Sequence, residues 1–242
     1  MKITPIHTPY FENGQALEPF LHAHLPCLSE GSIVALTSKI ISLSQGRLIS
    51  PGNSTLHEIL EQECDWVEPI TLYDQTFLTQ YQGRILLNAG IDTSNVKGGY
   101  LLLPHHPFDI AHTIGHFLCD QYGLKEVGVL ITDSRTQPFF RGAVGTPIAW
   151  WGFHALNSWI GEKDLVGNTL QSTTQNVVHA LAAATVYVMG ETRESTPLAL
   201  VENIPHIRFA NHAPSPTDIE NVFVPFEKDI YAALALKRQT KK

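Results

Sequence analysis

Short apolar runs, rich in β-branched and aliphatic residues, recur along the chain and predict its strands. Three of them, SIVALT (32–37), RILLNAG (84–90) and VGVLITD (127–133), run into polar residues at their ends. Two later runs, PLALVENI (197–204) and NVFVPF (221–226), have strand length and the same kind of composition. We therefore predict strands at these five places, spread over most of the chain.

Apolar residues three and four positions apart predict the helices. The segment 169–190 shows the longest such pattern, and its second half, VVHALAAATVYVMG, is apolar nearly all round, which predicts burial on all sides. Because strands and helices follow one another without regular β-α-β alternation, the sequence favours an α+β fold over a doubly wound sheet. The predicted helices are 17–28 (kinked or ended early by Pro26), 54–66 (opened by Ser54), 108–122, 169–190 and 228–238.

Composition and charge exclude several classes of function. The chain is 43% hydrophobic and 16% charged, as in ordinary globular proteins, and its net charge of -7 argues against binding nucleic acid or an anionic membrane. We see no signal peptide and no apolar run of membrane-spanning length, and the three scattered cysteines suit a reducing compartment. We predict a cytoplasmic protein with one domain over residues 1–242, of which 236–242 form a solvated tail.

Polar residues that can bind metal or phosphate follow three of the predicted strands. Neither a Walker-type loop nor a glycine fingerprint after a strand is present, so the two commonest nucleotide sites are excluded. Carboxylates, amides and ammonium groups at the ends of rigid strands can build a different kind of site. For any single pair, an ordinary turn is the simpler interpretation. The residues are Ser38 and Lys39 after SIVALT, Asp92 and Asn95 after RILL, and Asp133 and Ser134 after VGVLIT.

Four segments of the chain form a more specific pattern. They are TSKIISLSQGR (37–47), LLNAGIDTSNV (86–96), LITDS (130–134, followed by a proline and an Arg-Gly pair) and AAATVYVMGE (182–191). Their order and spacing resemble the signature blocks of the CofE-type gamma-glutamyl ligases, the coenzyme F-420:L-glutamate ligase family. The similarity extends to the segment 228–231, and NAGIDTSNV is its most specific part. The resemblance implies an α+β, CofE-like fold with mixed sheets and helices in two interleaved lobes, assembled as a homodimer.

The resemblance also implies a mechanism that depends on nucleotide and metal. In such ligases the γ-phosphoryl group of GTP activates a carboxylate of the acceptor as an acyl phosphate, and the amine of L-glutamate displaces phosphate. The acceptor would be a deazaflavin coenzyme or a folate-like carboxylate, and the cofactors would be magnesium or manganese together with a monovalent cation. By resemblance, the nucleotide would be bound by Ser38, Lys39 and Asn95, and the metal by Asp92, Asp133, Ser134 and Glu191.

Several charged positions of the family carry other residues in this chain. Guanidinium groups hold carboxylates and phosphates bidentately, and neutral residues cannot replace them. The losses predict weak or absent activity on a phosphorylated deazaflavin, although Arg141 compensates in part. Two hypotheses remain open: a ligase acting on another carboxylate, and a homologue that binds nucleotide or metal without turnover. The departures are Leu43 for lysine, Gln137, Phe140 and Ile160 for arginine, Gly145 for an acidic or amide residue, His106 for aspartate, and His179 with Ala180 for an Asp-Glu pair.

Two further groups have alternative interpretations. His112 and His116 are four apart on a predicted helix, the spacing of a zinc pair, but the metalloprotease glutamate is missing. We favour a hydrogen-bonded surface pair. Trp150 and Trp151 could stack on a heteroaromatic coenzyme, and burial in the core or at a subunit interface is the more common role of such a pair.

Overall fold

A five-stranded mixed sheet organises the computed structural model, which describes residues 1–50, 52, 54–71 and 73–230. Its only parallel pair joins the second strand of the chain to the eighth, and the other neighbours are antiparallel. In spatial order the strands are β1 (Lys2–Ile6), β12 (Leu198–Glu202), β2 (Ser32–Thr37), β8 (Val127–Thr136) and β9 (Ala143–Trp151).

The described residues form three smaller sheets besides the main one. An antiparallel sheet contains β4 (Trp66–Pro69), β5 (Phe77–Tyr81) and β6 (Arg84–Leu87), while β3 (Leu48–Ile49) pairs with β7 (Tyr100–Leu101) and β10 (Leu156–Ser158) with β11 (Thr174–Asn176). The helices are α1 (Leu17–His24), α2 (Ser38–Ser44), α3 (Leu56–Glu63), α4 (Pro107–Tyr122), α5 (Val177–Met189) and α6 (Pro216–Val222), with short 3₁₀ turns at Asn88–Gly90 and Phe226–Lys228.

Helices cover both faces of the main sheet. Val34 and Leu36 of β2 share a hydrophobic cluster with residues of α4, whereas Ile33 and Ala35 share the opposite cluster with residues of α5. Since successive side chains of a strand point to opposite faces, a strand covered on both sides must be apolar throughout, as SIVALT is. The α+β class is therefore confirmed. Within the described residues, no helix combines the length and apolar composition that crossing a membrane requires.

Most of the predicted elements are present with altered ends. Four predicted strands correspond to β2, β6, β8 and β12. The first helix ends at His24, before Pro26. The third helix begins at Leu56 because Thr55, rather than Ser54, caps it: the Thr55 hydroxyl accepts a hydrogen bond from the amide of Glu58, whose carboxylate accepts one from the Thr55 amide.

The late part of the chain corrects three predictions. The run 221–226 is not a strand, because a capping box of Ser215 and Asp218 starts α6, and this helix includes the first residues of the run. The long helix begins only at Val177, since residues 174–176 pair as β11. It is not buried on all sides: Tyr187 is 87% exposed. Of the closing helix, residues 231–238 lie outside the described residues, as does the tail at 236–242, and residues 229–230 are not helical.

Gly145 of β9 packs directly against α5. A Cβ at this position would lie 2.4 Å from the carbonyl oxygen of Ala182 and 2.5 Å from Cβ of Val186. The glycine in place of an acidic or amide residue therefore has a structural reason, because α5 leaves no room for a side chain.

We expect Gly145→Ala to lower the free energy of unfolding by about 1 to 3 kcal/mol, because α5 must move away from β9 to admit the methyl group. Urea denaturation followed by circular dichroism measures the change. Ala143→Val, at an exposed position of the same strand, should shift stability by less than about 0.5 kcal/mol. A Gly145→Ala protein as stable as the wild type would contradict this close packing.

Candidate active site

A cavity of about 240 Å³ opens at the carboxyl end of β2, beside the last part of β8, which extends past β2 to Thr136. Because these two strands are parallel, Lys39 just after β2 meets Asp133 and Ser134, which lie within the end of β8 rather than after it, at one edge of the sheet. The other walls are the N-terminal segment 8–11, the loop that contains Asp92, and the segment 189–197 after α5. The loop and the two strand ends belong to three of the four signature segments, and Glu191 of the fourth also lines the cavity.

Lys39 and Asp92 form an ion pair inside this cavity. Thr37, the last residue of β2, caps α2 through its hydroxyl, which accepts a hydrogen bond from the Lys39 amide. The Lys39 ammonium donates to Oδ2 of Asp92. Burial raises the pKa of Asp92, but the Lys39 charge and the Ser94 amide, 2.7 Å from Oδ1, outweigh it and leave the pKa below its ordinary value. Asp92 is therefore a stable carboxylate at neutral pH.

A left-handed turn places Asp92 opposite Lys39. Asn88, Ala89 and Gly90 have φ of 49°, 52° and 71°, a conformation that side chains other than Asn disfavour. Thr79 compensates this cost, because its hydroxyl accepts a hydrogen bond from the Ala89 amide at 2.9 Å. After the turn, the Asp92 backbone pairs with Leu101 of β7. The left-handed turn at residues 88–90, within the most specific signature segment, therefore positions the Asp92 carboxylate opposite Lys39.

Asp133 lies deeper in the same cavity, with its side chain 12% exposed. The Ser38 hydroxyl donates to Oδ1 at 3.4 Å, and Nε of Arg135 lies 3.6 Å from Oδ2. Burial raises the pKa of Asp133, and the nearby negative charge of Asp92 adds to this effect, while Arg135 and Lys39 oppose it. The pKa values of the two carboxylates therefore move in opposite directions, as is common where neighbouring acids have different roles.

The remaining residues predicted for the site have different positions. Asn95 and Glu191 lie on the exposed rim of the cavity, and Ser134 lines it next to Asp133. Ser38 does not line the cavity; it is buried behind it and contacts Asp133. The expected convergence of Asp92 and Asp133 is thus observed, whereas the ligands assigned to these residues remain predictions.

The oxygen donors of the cavity suit a hard divalent cation. In the described part of the chain, no three His, Cys, Asp or Glu side chains are arranged to hold a metal. Asp92 and Asp133 nevertheless provide two carboxylates on one cavity, next to the Ser134 hydroxyl. Magnesium sites at phosphates typically use one or two protein carboxylates and complete their coordination with phosphate oxygens and water. The donor set therefore fits magnesium or manganese bound together with a phosphate ligand.

Sequence reasoning missed two residues of the cavity wall. Arg193 lines it two positions after Glu191 and adds a second cation to Lys39. Tyr10 lines the opposite wall: its hydroxyl accepts a hydrogen bond from the Lys97 amide at 3.2 Å, and the Lys97 ammonium lies 4.6 Å from the ring centroid. The signal for Arg193 was its place directly after a signature segment. Tyr10 gave no signal, because its partner lies far along the chain.

The structure also places the residues that depart from the family pattern. Leu43 is buried in the cavity wall. Gln137, Phe140 and Ile160 are exposed, as is Arg141 in the turn between β8 and β9. None of these four residues lines the cavity.

The histidine pair and the tryptophan pair lie elsewhere. Nε2 of His112 and Nε2 of His116 are 3.0 Å apart on the exposed face of α4, and His116 packs against the Trp151 ring. Trp150 and Trp151 are 1% and 0% exposed. The interpretation of the tryptophans as core is therefore confirmed, and the stacking surface for a coenzyme is wrong.

One family of known proteins matches this chain over most of its length. The model of that family, described as F420-0:gamma-glutamyl ligase, matches residues 5–203. The chain therefore belongs to this family of ligases.

Individual relatives in archaea are named coenzyme F420:L-glutamate ligase. The protein from Haloarcula marismortui is 34% identical over 226 residues, which cover 84% of each chain. The protein from Archaeoglobus fulgidus is 29% identical over 212 residues, 81% of this chain and 84% of the relative. The protein from Methanosarcina barkeri is 28% identical over 238 residues, 92% of this chain and 91% of the relative.

Proposed function

We propose that this protein is a gamma-glutamyl ligase that uses GTP and a divalent metal to join L-glutamate to a carboxylate of a coenzyme. Its family and the activity for which its relatives are named support a ligase. The observation that carries the rest is the meeting of Lys39, Asp92 and Asp133, from three separate signature segments, on one cavity. Two carboxylates and a lysine are the groups that a metal-bound phosphate requires.

Asp92 and Asp133 would hold the metal in this proposal, assisted by Ser134 and Glu191. When bound, magnesium or manganese neutralises the phosphate charge that develops during phosphoryl transfer. The Ser38 hydroxyl keeps the Asp133 carboxylate oriented from behind the cavity. This second contact matters because a ligand held by two groups loses less freedom when it binds.

Lys39 would change its partner when the nucleotide binds. Its ammonium pairs with Asp92 in the present structure. With Asp92 holding a metal, the Lys39 ammonium would instead contact the γ-phosphate through charge-assisted hydrogen bonds. Asn95 and Arg193 on the rim would contact the remaining nucleotide.

Two group transfers would then complete the reaction. An oxygen of the acceptor carboxylate attacks the γ-phosphorus, GDP leaves, and an acyl phosphate forms. The amine of L-glutamate attacks the acyl carbon, phosphate leaves, and loss of a proton from nitrogen gives the amide. Water must be excluded, because it would hydrolyse the acyl phosphate. The segments 8–11 and 189–197 lie over the cavity and are joined by the hydrogen bond from the Thr8 amide to the Ser195 carbonyl, 2.9 Å long.

A homologue that binds nucleotide or metal without turnover is the second hypothesis. Leu43 favours it, since this buried side chain lies in the cavity wall where the family resemblance leads us to expect an ammonium group. Asp92 and Asp133 favour the ligase, because they provide the carboxylates that metal-assisted phosphoryl transfer requires.

The two hypotheses differ in coupled turnover. For the ligase we expect GTP hydrolysis that requires both L-glutamate and an acceptor carboxylate, measured as phosphate release and as mass of the amide product. Activity on a phosphorylated deazaflavin should be low: two lost arginine contacts of about 1.5 to 3 kcal/mol each weaken affinity by about a hundredfold or more. Nucleotide binding without coupled hydrolysis, across deazaflavin and folate-like acceptors, would establish the second hypothesis. Rapid turnover of the phosphorylated deazaflavin would contradict the acceptor prediction.

A further inference from the structure

Three basic side chains from separate elements meet behind Asp133. Arg84 begins β6, Arg135 lies on β8, and His179 lies on α5. Phe223, just after α6, joins two of them: the Arg84 guanidinium carbon lies 3.7 Å from its ring centroid, and the His179 ring centroid lies 6.4 Å away. We call Arg84, Arg135 and His179 the basic cluster.

Three buried nitrogen atoms of the basic cluster have no hydrogen-bond partner within the described residues. Nε and Nη2 of Arg135 are buried without a hydrogen bond, and so is Nδ1 of His179. The Arg135 side chain is only 15% exposed, and its distance of 3.6 Å to Asp133 is longer than a hydrogen bond. Arg84 makes no salt bridge with any carboxylate of the described chain. A buried guanidinium group whose nitrogen atoms lack hydrogen bonds is costly, even beside a carboxylate, and such a group calls for a further partner.

The charges of the basic cluster do not balance. Burial, and then the neighbouring charge of Arg135, lower the pKa of Arg84 to about 10. Burial also lowers the pKa of His179, and the charges of Arg135 and Arg84 lower it further. Asp133 supplies one negative charge against two guanidinium groups. The cluster therefore holds an excess of positive charge that a bound anion would neutralise.

The position of the basic cluster separates it from the nucleotide. None of its three residues lines the cavity of Lys39 and Asp92, yet Arg135 touches Asp133, which does. Arg84 and Phe223 are partly exposed, so the cluster is accessible from solvent. A substrate that extends past Asp133 would thus contact both the cavity and the basic cluster.

We propose that Arg84, Arg135 and His179 form an oxyanion site that binds a carboxylate or phosphate group of the acceptor beside Asp133. The assignment to the acceptor rests on the proposed ligase function, whereas the oxyanion site itself rests on the cluster alone. Two planar guanidinium forks and an imidazole suit an oxyanion with two or more free oxygens. The acceptor anion is then held behind Asp133, and not at the exposed turn of Gln137 and Phe140.

Direct titration tests the site without nucleotide or metal. Inorganic phosphate and succinate, titrated separately by calorimetry, distinguish a phosphate preference from a carboxylate preference. We expect saturable binding of at least one of them to the wild type. Arg84→Gln should weaken it by about tenfold or more, since one charge-assisted fork is lost. Lys2→Gln, which removes an exposed basic side chain on β1 outside the cluster, should leave the affinity unchanged.

Several results would overturn the oxyanion site. One such result is that the wild type binds neither phosphate nor succinate saturably. Another is that Arg84→Gln binds the anion with the same affinity as the wild type. If Arg84→Gln does not fold, Arg84→Lys takes its place: it keeps the charge but loses the fork, so affinity should fall by about threefold or more, and no change overturns the site.

A second measurement separates this proposal from the ligase function. Arg84→Gln should keep the stabilisation by manganese and GTP and, in turnover, raise KM for the acceptor while KM for GTP stays constant. A raised KM for GTP alone would overturn the assignment to the acceptor. Anion binding that depends on Arg84 in a protein without nucleotide binding would keep the oxyanion site and reject the ligase.

Discussion

Asp133→Asn should abolish the joint stabilisation of the fold by manganese and GTP. The amide keeps the shape of the side chain and its contact with Ser38, but it removes the negative charge with which Asp133 would hold a divalent metal. At a ligand concentration one hundred times the dissociation constant, binding stabilises the wild type by about 2.7 kcal/mol, a melting shift of a few degrees. The melting temperature with manganese, with GTP and with both measures the effect, and ligase turnover should fall by about a hundredfold or more.

His112→Ala is the control for this experiment. The histidine pair lies on the exposed face of α4, so its removal should leave the joint shift unchanged, whereas a functional zinc pair would make it essential. If Asp133→Asn keeps the full shift, or if the wild type shows no shift with GTP or ATP, the nucleotide-dependent mechanism is wrong for this protein.

Lys39→Met should lower ligase turnover by about a hundredfold or more and leave the protein folded. Methionine fills a similar volume but removes the ammonium that would contact the γ-phosphate, and such charge-assisted contacts contribute most of the stabilisation in phosphoryl transfer. The kcat for glutamate-dependent GTP hydrolysis measures the change. Metal affinity should rise slightly, because Asp92 then has no competing ammonium.

Lys2→Met is a matched control, since Lys2 also pairs with a carboxylate, Glu202 at 3.5 Å, but on the exposed edge strand β1. Its turnover should equal that of the wild type. A Lys39→Met enzyme with unchanged kcat would show that the ion pair with Asp92 is only structural.

The basic cluster changes how we interpret the absence of the arginines that the family has at positions 137, 140 and 160. Gln137, Phe140 and Ile160 suggest from sequence that anion contacts have been lost. Arg84 and Arg135 bring two guanidinium groups to the other side of Asp133. The same phosphoryl-transfer chemistry at the cavity is therefore consistent with an acceptor whose anionic group binds at the basic cluster. The identity of the acceptor is thus the first property to measure.

Local features decided much of the fold. SIVALT and VGVLITD are buried on both faces, so their uniform apolar composition was sufficient to predict strands. Pro26 could not continue a helix, and α1 ends just before it. The run 221–226 was mispredicted because a capping box upstream of it outweighs the β-propensity of its valines and phenylalanines. Cap chemistry was visible in the sequence and gave the stronger signal.

The candidate site depends partly on the sequence alone and partly on the tertiary structure. The sequence by itself determined which residues could act: carboxylates, a lysine and hydroxyls at strand ends, where turns leave side chains free. Their meeting depends on the tertiary structure, because Lys39 and Asp92 are 53 positions apart and a left-handed turn at residues 88–90 aims one at the other.

The tertiary structure alone revealed the meeting of Arg84, Arg135 and His179. These contacts join strands and a helix that are distant along the chain. Periodicity and propensity describe neighbours in sequence, whereas electrostatic partners are set by how the elements pack, and burial then decides how strongly each charge requires one.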